Sequence, residues 1–332
     1  MRLVLKLFFM LLVGAAAVGG IGYRWATTPL SLRTSPVDFR ILPGSSLRSA
    51  AIQVAEAGVH VPPALLVLLG RAAHAETGVK AGSYSVSSGV TPWQLLGKLT
   101  RGEVTQGEIT LVEGWTLRQW RERLDAHPDL EHDSRGLPEA EILRRLGIDG
   151  KARAEGLFFP DTYLFDKHSS DIDLFARAYR AMQRKLDAAW VQRAANLPYR
   201  DPYQALIMAS IVEKETGRVA DRPLVAAVFV NRLRTGMLLQ TDPTVIYGMG
   251  ESFDGNIRKR DLLTDGPYNT YTRPGLPPTP IAMPGMASIQ AALHPATSDA
   301  LYFVARGDGS SHFSSSLDEH SRAVNRYQRA GR

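Results

Sequence analysis

Apolar residues follow three different patterns along this chain. Residues 7–23 form one uninterrupted apolar run, whereas residues 37–41 alternate between apolar and polar as a half-buried strand does. Residues 47–55 place their apolar side chains at helical spacing, and residues 205–212 are apolar around most of a helix. The patterns together predict an apolar N-terminal helix followed by an α+β protein.

The apolar run is flanked by positive charge. Arg2 and Lys6 precede it and Arg24 follows it. A helix of this length approaches the thickness of a bilayer, and the basic residues favour a cytoplasmic N-terminus with the remaining chain outside. We therefore expect a cytoplasmic tail at 1–6 and a transmembrane anchor at 7–24. A cleaved signal peptide stays open as the alternative.

The rest of the chain is long enough for more than one domain. Residues 25–36 read as a linker with prolines and hydroxyls. Residues 37–112 follow a strand–helix–helix–strand order that resembles the LysM module, a small α+β fold that grips amino-sugar polymers. We expect a connector at 113–150 and a mixed α+β catalytic domain at 151–332.

Composition removes several kinds of chemistry. The chain has no cysteine, which excludes disulfides, thiolate metal sites and a cysteine nucleophile. It has no glycine-rich phosphate loop and no histidine pair at helical ligand spacing, so neither of these motifs indicates a nucleotide or a metal site. The net charge of +6 is modest and spread along the chain. Anionic lipid or an acidic polymer suits that charge, and export argues against nucleic acid.

The helix predicted over residues 201–217 carries the sharpest chemical signal. Glu213 and Glu215 lie two residues apart on its last turn, so they cannot share a face. With Ser210 and Lys214 marking the polar side, Glu215 lies nearer the apolar arc. Burial raises the proton affinity of a carboxyl group, which suits a general acid. Alternatively, both glutamates face solvent and pair with neighbouring cations.

A second polar cluster lies in residues 236–250. Gln240, Thr241 and Asp242 separate an apolar stretch from a new helix, and Tyr247 follows within that helix. A structural role as helix N-cap explains Asp242 fully, because Asp-Pro is a common helix start. It does not explain Gln240 and Thr241.

The third cluster lies in the proline-rich residues 267–285. Tyr268, Asn269, Thr270 and Tyr271 combine two aromatic faces with amide and hydroxyl groups. Such a set suits a sugar ring, whose C–H face packs on aromatics while its hydroxyls need hydrogen bonds. A rigid loop whose tyrosines pack on the core is the alternative.

Five separated segments, in this order, resemble one known family: EGLFFPDTY, LIMASIVEKETG, LQTDPTVIYGMG, YNTYTRPGLPPTPIAMPG and LYFVARGDGSSHFS. The chain is similar to the endolytic murein transglycosylases (MltG, also called YceG-like). The resemblance implies a single-pass protein of the cell inner membrane with its catalytic part in the periplasm. It also implies a lyase that cuts the MurNAc-β-1,4-GlcNAc bond of nascent peptidoglycan strands, leaves 1,6-anhydro-MurNAc ends and so ends strand elongation.

The resemblance also implies residue roles. In lytic transglycosylases the catalytic glutamate is followed by serine, and Glu215-Thr216 is the matching pair here. Since the sugar's own C6 hydroxyl attacks, one acid suffices and no cofactor is needed. The substrate-binding residues would be Gln240, Thr241, Asp242, Tyr247, Tyr268, Asn269, Thr270 and Tyr271. Peptidoglycan glycan strands are the expected partner, with peptidoglycan synthases as further partners.

Three other functions stay open. One is a plain muramidase-type hydrolase in which Asp242 activates water opposite Glu215. Another is a non-enzymatic peptidoglycan-binding scaffold beside the wall-synthesis machinery. The third is aminodeoxychorismate lyase, an older label for such sequences, whose chemistry needs pyridoxal phosphate on a cytoplasmic lysine. The export signal argues against the third.

Overall fold

A computed structural model describes residues 2–75, 77–148, 150 and 153–329. Residues 1, 151–152 and 330–332, which the predicted domain boundaries include, lie outside the described residues. The chain divides into two compact units. The first comprises 1–108, 129–131 and 164–169, and the second comprises 109–128, 132–163 and 170–332. Helices and strands occur in both units, which confirms the α+β prediction.

The N-terminal helix α1 spans Arg2–Thr27. Its stretch Phe8–Thr27 has the length and hydropathy of a membrane span. At about 1.5 Å per residue, these residues match the roughly 30 Å of a bilayer core. Large apolar side chains such as Phe8 and Ile21 are exposed on it. The helix therefore fits a single membrane span, and a signal sequence has the same features.

The first unit continues with β1 (Val37–Ile41), α2 (Leu47–Glu56), α3 (Pro63–Ala72), β2 (Gly82–Val86) and α4 (Pro92–Arg101). Strands β1 and β2 pair antiparallel, with Val37 opposite Val86. The inward side chain of Phe39 stacks on Tyr84 at 5.8 Å between ring centroids. The order strand–helix–helix–strand is therefore present, and its assignment as a LysM module stays a prediction.

The chain then forms β3 (Gln106–Leu111), α5 (Leu117–Asp125), β4 (Leu130–Glu131), α6 (Glu139–Arg145), β5 (Asp161–Asp166), β6 (Ser169–Ser170), α7 (Asp171–Val191), α8 (Pro202–Glu215), α9 (Arg222–Thr235), α10 (Asp242–Met249), α11 (Lys259–Leu263), α12 (Met286–Leu293), β7 (Tyr302–Ala305), β8 (Ser311–Ser314) and α13 (Leu317–Val324). Strand β3 pairs with β5, β4 with β6 and β7 with β8. The antiparallel β7–β8 pair places Tyr302 opposite Ser314.

Helix α8 is the centre of the second unit. Its eight residues from Ala205 to Val212 are all buried, as their apolar pattern predicts. The helix packs against α9 and α12. Asp201 caps its first turn by accepting the Gln204 N–H at 2.9 Å, and Pro202 occupies the first turn. It ends at Glu215, so a fixed, buried helix holds this carboxyl group in place.

The cap of α8 gives a stability test. Replacing Asp201 with alanine leaves the Gln204 N–H without its partner, so we expect a loss of about 1 kcal/mol in the free energy of unfolding. Asp201→Asn keeps an accepting oxygen and is the matched control. Urea unfolding of both variants and the parent measures the difference. Equal stability of the alanine and asparagine variants would contradict this account of the helix start.

Candidate active site

Glu215 lies at the C-terminal end of α8, partly buried, against the segment that leads into α10. The Thr241 hydroxyl donates a short hydrogen bond to Glu215 Oε1. Burial raises the pKa of Glu215 to about 7, and the nearby Asp242 charge adds to this, while the Thr241 bond and Arg232 act in the opposite direction. Glu215 is thus a carboxyl that holds its proton near neutral pH.

Asp242 and Tyr271 form the second contact of the site. The Tyr271 hydroxyl donates to Asp242 Oδ1 at 2.5 Å. Asp242 is the first residue of α10, and Thr241 precedes it at the N-cap position. The prediction that Asp242 is the N-cap is therefore wrong by one residue, because α10 already begins at Asp242. Its carboxylate is directed at Tyr271 instead.

The segment that carries Gln240, Thr241 and Asp242 is held in an unusual conformation. Gln240 has a φ of 51°, a left-handed value that costs a non-glycine residue about 1–3 kcal/mol. The backbone N–H groups of Gln240 and Thr241 donate to Thr270, one to its carbonyl and one to its hydroxyl, both at 3.1 Å. Thr270 thus fixes the strained segment. The Gln240 side chain is exposed, and its Oε1 lies 3.5 Å from Arg232 Nη1, which donates to it.

Arg232 of α9 supports the same segment, a role that no pattern in the sequence indicated. Its guanidinium donates to the Leu239 carbonyl at 2.8 Å and to the Leu301 carbonyl at 2.7 Å. The side chain is 8% exposed. Through these hydrogen bonds Arg232 supports the backbone before Gln240. As a buried cation it also acts to lower the pKa of Glu215.

Asn269 fixes the proline-rich loop from inside. Its amide donates to the backbone carbonyls of Asp261, Leu262 and Thr264, and its oxygen accepts the Tyr271 N–H. The residue is 4% exposed. In this structure Asn269 shapes the loop that presents Tyr271, and its predicted contact with substrate stays a prediction.

The remaining predicted residues, Tyr247 and Tyr268, form a separate group. Their rings meet edge to face at 4.9 Å between centroids, and the Tyr247 hydroxyl donates to Glu155 Oε2 at 3.2 Å. The Tyr268 hydroxyl lies 2.8 Å from Thr279 Oγ1. The structure thus brings Thr241, Asp242 and Tyr271 to Glu215. It places Tyr247 against a second buried acid, Glu155, with the Tyr268 ring packed on Tyr247.

Glu155 is a functional candidate that received no role from the sequence. It is 4% exposed and accepts the Leu117 N–H at 3.0 Å. Burial raises its pKa to about 7. The available signal was a lone carboxylate inside the apolar stretch from Ala154 to Phe159, within a segment that the resemblance had already singled out.

The two glutamates of α8 have different surroundings. Glu213 accepts from Arg222 Nη2 at 2.9 Å and from the Gly285 N–H at 3.0 Å, and its side chain is 5% exposed. A second carboxylate, that of Glu113, also approaches this glycine, because a Cβ at position 285 would lie 1.9 Å from Glu113 Oε1. Glu213 joins the ends of three helices, and Glu215 is left as the carboxyl that faces the site.

One further cluster has the composition of a metal site. Asp125, His132 and Asp171 place ligand atoms within 4.8 Å of one another. Asp171 already accepts the hydroxyl of Ser134 at 2.5 Å, and Arg135 Nε lies 3.5 Å from Asp125 Oδ1. Asp171 is thus hydrogen-bonded by a neutral hydroxyl, and Asp125 is paired with a cation.

Comparisons with known proteins agree on one family. The sequence matches the model of the YceG-like family over residues 39–326. A Bacillus subtilis protein named endolytic murein transglycosylase is 33% identical over 270 residues, which are 76% of this chain and 74% of that protein. A Streptococcus pneumoniae protein of the same name is 28% identical over 281 residues, and the match spans only 50% of its length.

A solved structure gives the same result. The crystal structure of a YceG-like protein from Listeria monocytogenes matches with a TM-score of 0.54 and 30% sequence identity. The match covers 88% of this chain and 99% of that one.

The buried ion pair behind the site gives the next prediction. Glu213→Ala removes the carboxylate that pairs with the buried Arg222, so we expect a loss of about 3–5 kcal/mol in the free energy of unfolding. The double variant Glu213→Leu with Arg222→Met removes both charges and should recover most of that loss. Urea unfolding measures all three proteins. If the double variant is less stable than Glu213→Ala, the loss does not come from the unpaired charge.

Proposed function

The chain belongs to the YceG-like family, and we propose on that basis that it is an endolytic lytic transglycosylase of peptidoglycan with Glu215 as its catalytic acid. The observation that carries the proposal is the setting of Glu215. Its carboxyl group is desolvated, hydrogen-bonded by Thr241 and protonated near neutral pH. Those are the properties of a general acid.

The reaction needs only this one acid. Glu215 gives its proton to the oxygen that joins MurNAc C1 to GlcNAc O4, the C1–O4 bond breaks, and GlcNAc leaves with the proton on O4. The Glu215 carboxylate then removes the proton from the C6 hydroxyl of MurNAc, and O6 bonds to C1. The product is the 1,6-anhydro sugar, and no water enters it. Glu215 ends the cycle protonated, as it began.

The neighbours of Glu215 supply position and charge. The Thr241 hydroxyl bonds Oε1, which leaves Oε2 to carry the proton toward the sugar. Asp242, oriented by Tyr271, offers negative charge to the positive sugar ring that develops in the transition state. Gln240 is exposed beside them and is available for a sugar hydroxyl. Asn269 and Thr270 act through the shape of the two loops.

Two alternatives make different predictions. A hydrolase with Asp242 as base would release reducing ends, which are heavier than anhydro ends by one water. A glycan-binding scaffold would release nothing. The Asp242 carboxylate is already engaged by Tyr271, which favours an electrostatic role over water activation.

We also propose where the protein works. Helix α1 is an uncleaved anchor in the cell inner membrane, and the charges Arg2 and Lys6 place its N-terminus in the cytoplasm. The catalytic part then lies in the periplasm. Residues 37–112 form a LysM-like module that binds the glycan strand. Residues 113–150 form a connector, and residues 151–332 form the catalytic domain that cuts the strand. Peptidoglycan synthases are the partners that such a position supports.

Removing the acid tests the proposal. We expect Glu215→Gln to lower release of anhydro-ended fragments from uncrosslinked glycan strands by about 10²- to 10⁴-fold, because general acid catalysis contributes a factor of that size. Mass spectrometry of the products measures both the amount and the end group. Glu131→Gln, an exposed glutamate on β4 outside the proposed module and cavity, is the matched control and should behave as the parent.

Each contrary result has a distinct meaning. Equal release by parent and Glu215→Gln would remove Glu215 from the mechanism. Products with reducing ends would establish a hydrolase. No release by the parent would leave only the binding function.

The pH profile gives a second test. Because the acid must be protonated and its pKa is raised to about 7, kcat/KM should fall about tenfold per pH unit above pH 7. Glu155 has a pKa near the same value, so the profile is also measured in Glu155→Gln. We expect the fall to persist in that variant. A fall that begins near pH 4.5 in the parent would contradict a desolvated acid.

A further inference from the structure

A cavity of about 790 Å³ lies beside α10 in the second unit. Lys214 and Pro243 line it, and each is the chain neighbour of a residue in the acid cluster, Glu215 or Asp242. Tyr247 lies about 7–8 Å from Asp242 along the axis of α10, at 1.5 Å rise per residue. The cavity therefore shares α10 and the last turn of α8 with the acid cluster, and a strand of several sugars is the ligand expected to occupy both.

The cavity has an aromatic wall. Tyr247 and Tyr268 meet at 4.9 Å with an angle of 65° between their rings, and both line the space together with Ile246 and Ile281. Ring faces and aliphatic groups pack against the C–H face of a sugar. The volume falls within the range of small-molecule sites.

Charged side chains of the wall pair with one another. Arg118 Nη1 lies 3.7 Å from Glu251 Oε1, and Arg153 Nη1 lies 3.8 Å from Glu139 Oε2. Lys214 donates to the Gly114 carbonyl at 3.2 Å. Besides Glu155, the wall carries four cations and four carboxylates (Arg118, Arg121, Arg153 and Lys214 with Glu122, Asp125, Glu139 and Glu251). Because these charges balance, the wall favours a neutral saccharide over the carboxylates of a stem peptide.

Glu155 contacts the hydroxyl of Tyr247 on the aromatic wall and sets the direction of its hydrogen. Its Oε1 accepts the Leu117 N–H, which leaves Oε2 for Tyr247. As a carboxylate, Glu155 takes the hydrogen of the Tyr247 hydroxyl. As a neutral acid, Glu155 donates to the Tyr247 oxygen, and the tyrosine hydrogen is then free for a ligand acceptor such as an acetamido carbonyl.

We propose that this cavity is a second saccharide subsite of the glycan strand, with Tyr247 and Tyr268 as its aromatic wall and Glu155 as the positioning residue that turns the Tyr247 hydroxyl toward the sugar. The inference rests on the proposed function, because it takes the ligand to be the strand cut at Glu215. It adds a binding step remote from the bond that breaks.

The protonation state of Glu155 should control how tightly the subsite binds sugar, and the groups around Glu155 set its pKa. Glu139 of α6 adds negative charge and burial disfavours the carboxylate, so the neutral acid persists to about pH 7. The other charged or titratable groups on the cavity are Tyr247 and Glu251 near α10, Arg118, Arg121, Glu122 and Asp125 of α5, Arg153, Lys214 and Tyr268. The subsite should therefore bind sugar more tightly below pH 7 than above it.

The test uses the full chain in detergent with Glu215→Gln as the parent, which removes both cleavage and the titration of Glu215. The probe is a peptide-free hexamer of β-1,4-linked N-acetylglucosamine, and calorimetry gives its affinity at about pH 5.5 and pH 8.5. We expect about fivefold weaker binding at the higher pH, the effect of one hydrogen bond.

Two substitutions added to Glu215→Gln test whether Glu155 acts by orienting the Tyr247 hydroxyl or only by supporting the fold. Tyr247→Phe should weaken binding about fivefold at the lower pH. Glu155→Gln keeps an oxygen for Leu117 and an N–H for Tyr247, so it mimics the neutral acid and should bind tightly at both pH values. Tyr179→Phe on α7, which also loses a hydroxyl but lies outside the cavity wall, is the matched control and should bind as the parent does.

The outcomes are distinct. Unchanged affinity in Tyr247→Phe, or binding by the parent that does not depend on pH, overturns the proposal. So does binding of peptide-bearing strands when the peptide-free hexamer does not bind, since the occupant is then the stem peptide. Failure of the unmodified chain to release anhydro products would overturn the proposed function alone, because the hexamer titration does not depend on cleavage.

Discussion

The contact between Thr241 and Glu215 is the interaction on which the site depends. It joins the end of α8 to the start of α10, two helices separated by α9 in the chain. Burial keeps the proton on Glu215, and the Thr241 bond fixes one carboxyl oxygen so that the other can act. Without this contact the carboxyl would turn freely at a helix end. The bond itself lowers the pKa of Glu215 against the effect of burial, so its contribution is to fix the orientation of the carboxyl and not to hold the proton.

Much of the second unit serves to hold the segment around Gln240. The left-handed backbone there is stabilised by Thr270 from one side and by Arg232 from the other. Asn269 in turn fixes the loop that carries Thr270. Strain of this kind persists where surrounding contacts determine the conformation, and such places are common at functional sites. The buried polar residues thus act through backbone geometry, whereas Gln240 and Asp242 present side chains.

Three buried or partly buried glutamates illustrate how environment assigns roles to one residue type. Glu213 is neutralised by Arg222 and joins helix ends, so it has a structural role. Glu215 forms no ion pair with any described residue, and burial raises its pKa to about 7 although the Arg232 charge acts in the opposite direction. Glu155 also keeps its proton, yet its partner is the Tyr247 hydroxyl, and it faces a cavity with an aromatic wall. These different surroundings are the basis for proposing chemistry at Glu215 and recognition at Glu155.

The sequence by itself determined the local elements. Apolar spacing and the Asp201 cap predicted a buried α8, and the two-residue separation of Glu213 and Glu215 required that they face different partners. The resemblance carried by five motifs identified the family and pointed to Glu215. Tertiary structure alone decided the helix start at Asp242, the loop contacts of Arg232 and Asn269, and the place of Glu155 beside Tyr247. Those contacts join residues far apart in the chain, such as 155 and 247, and periodicity reports only on near neighbours.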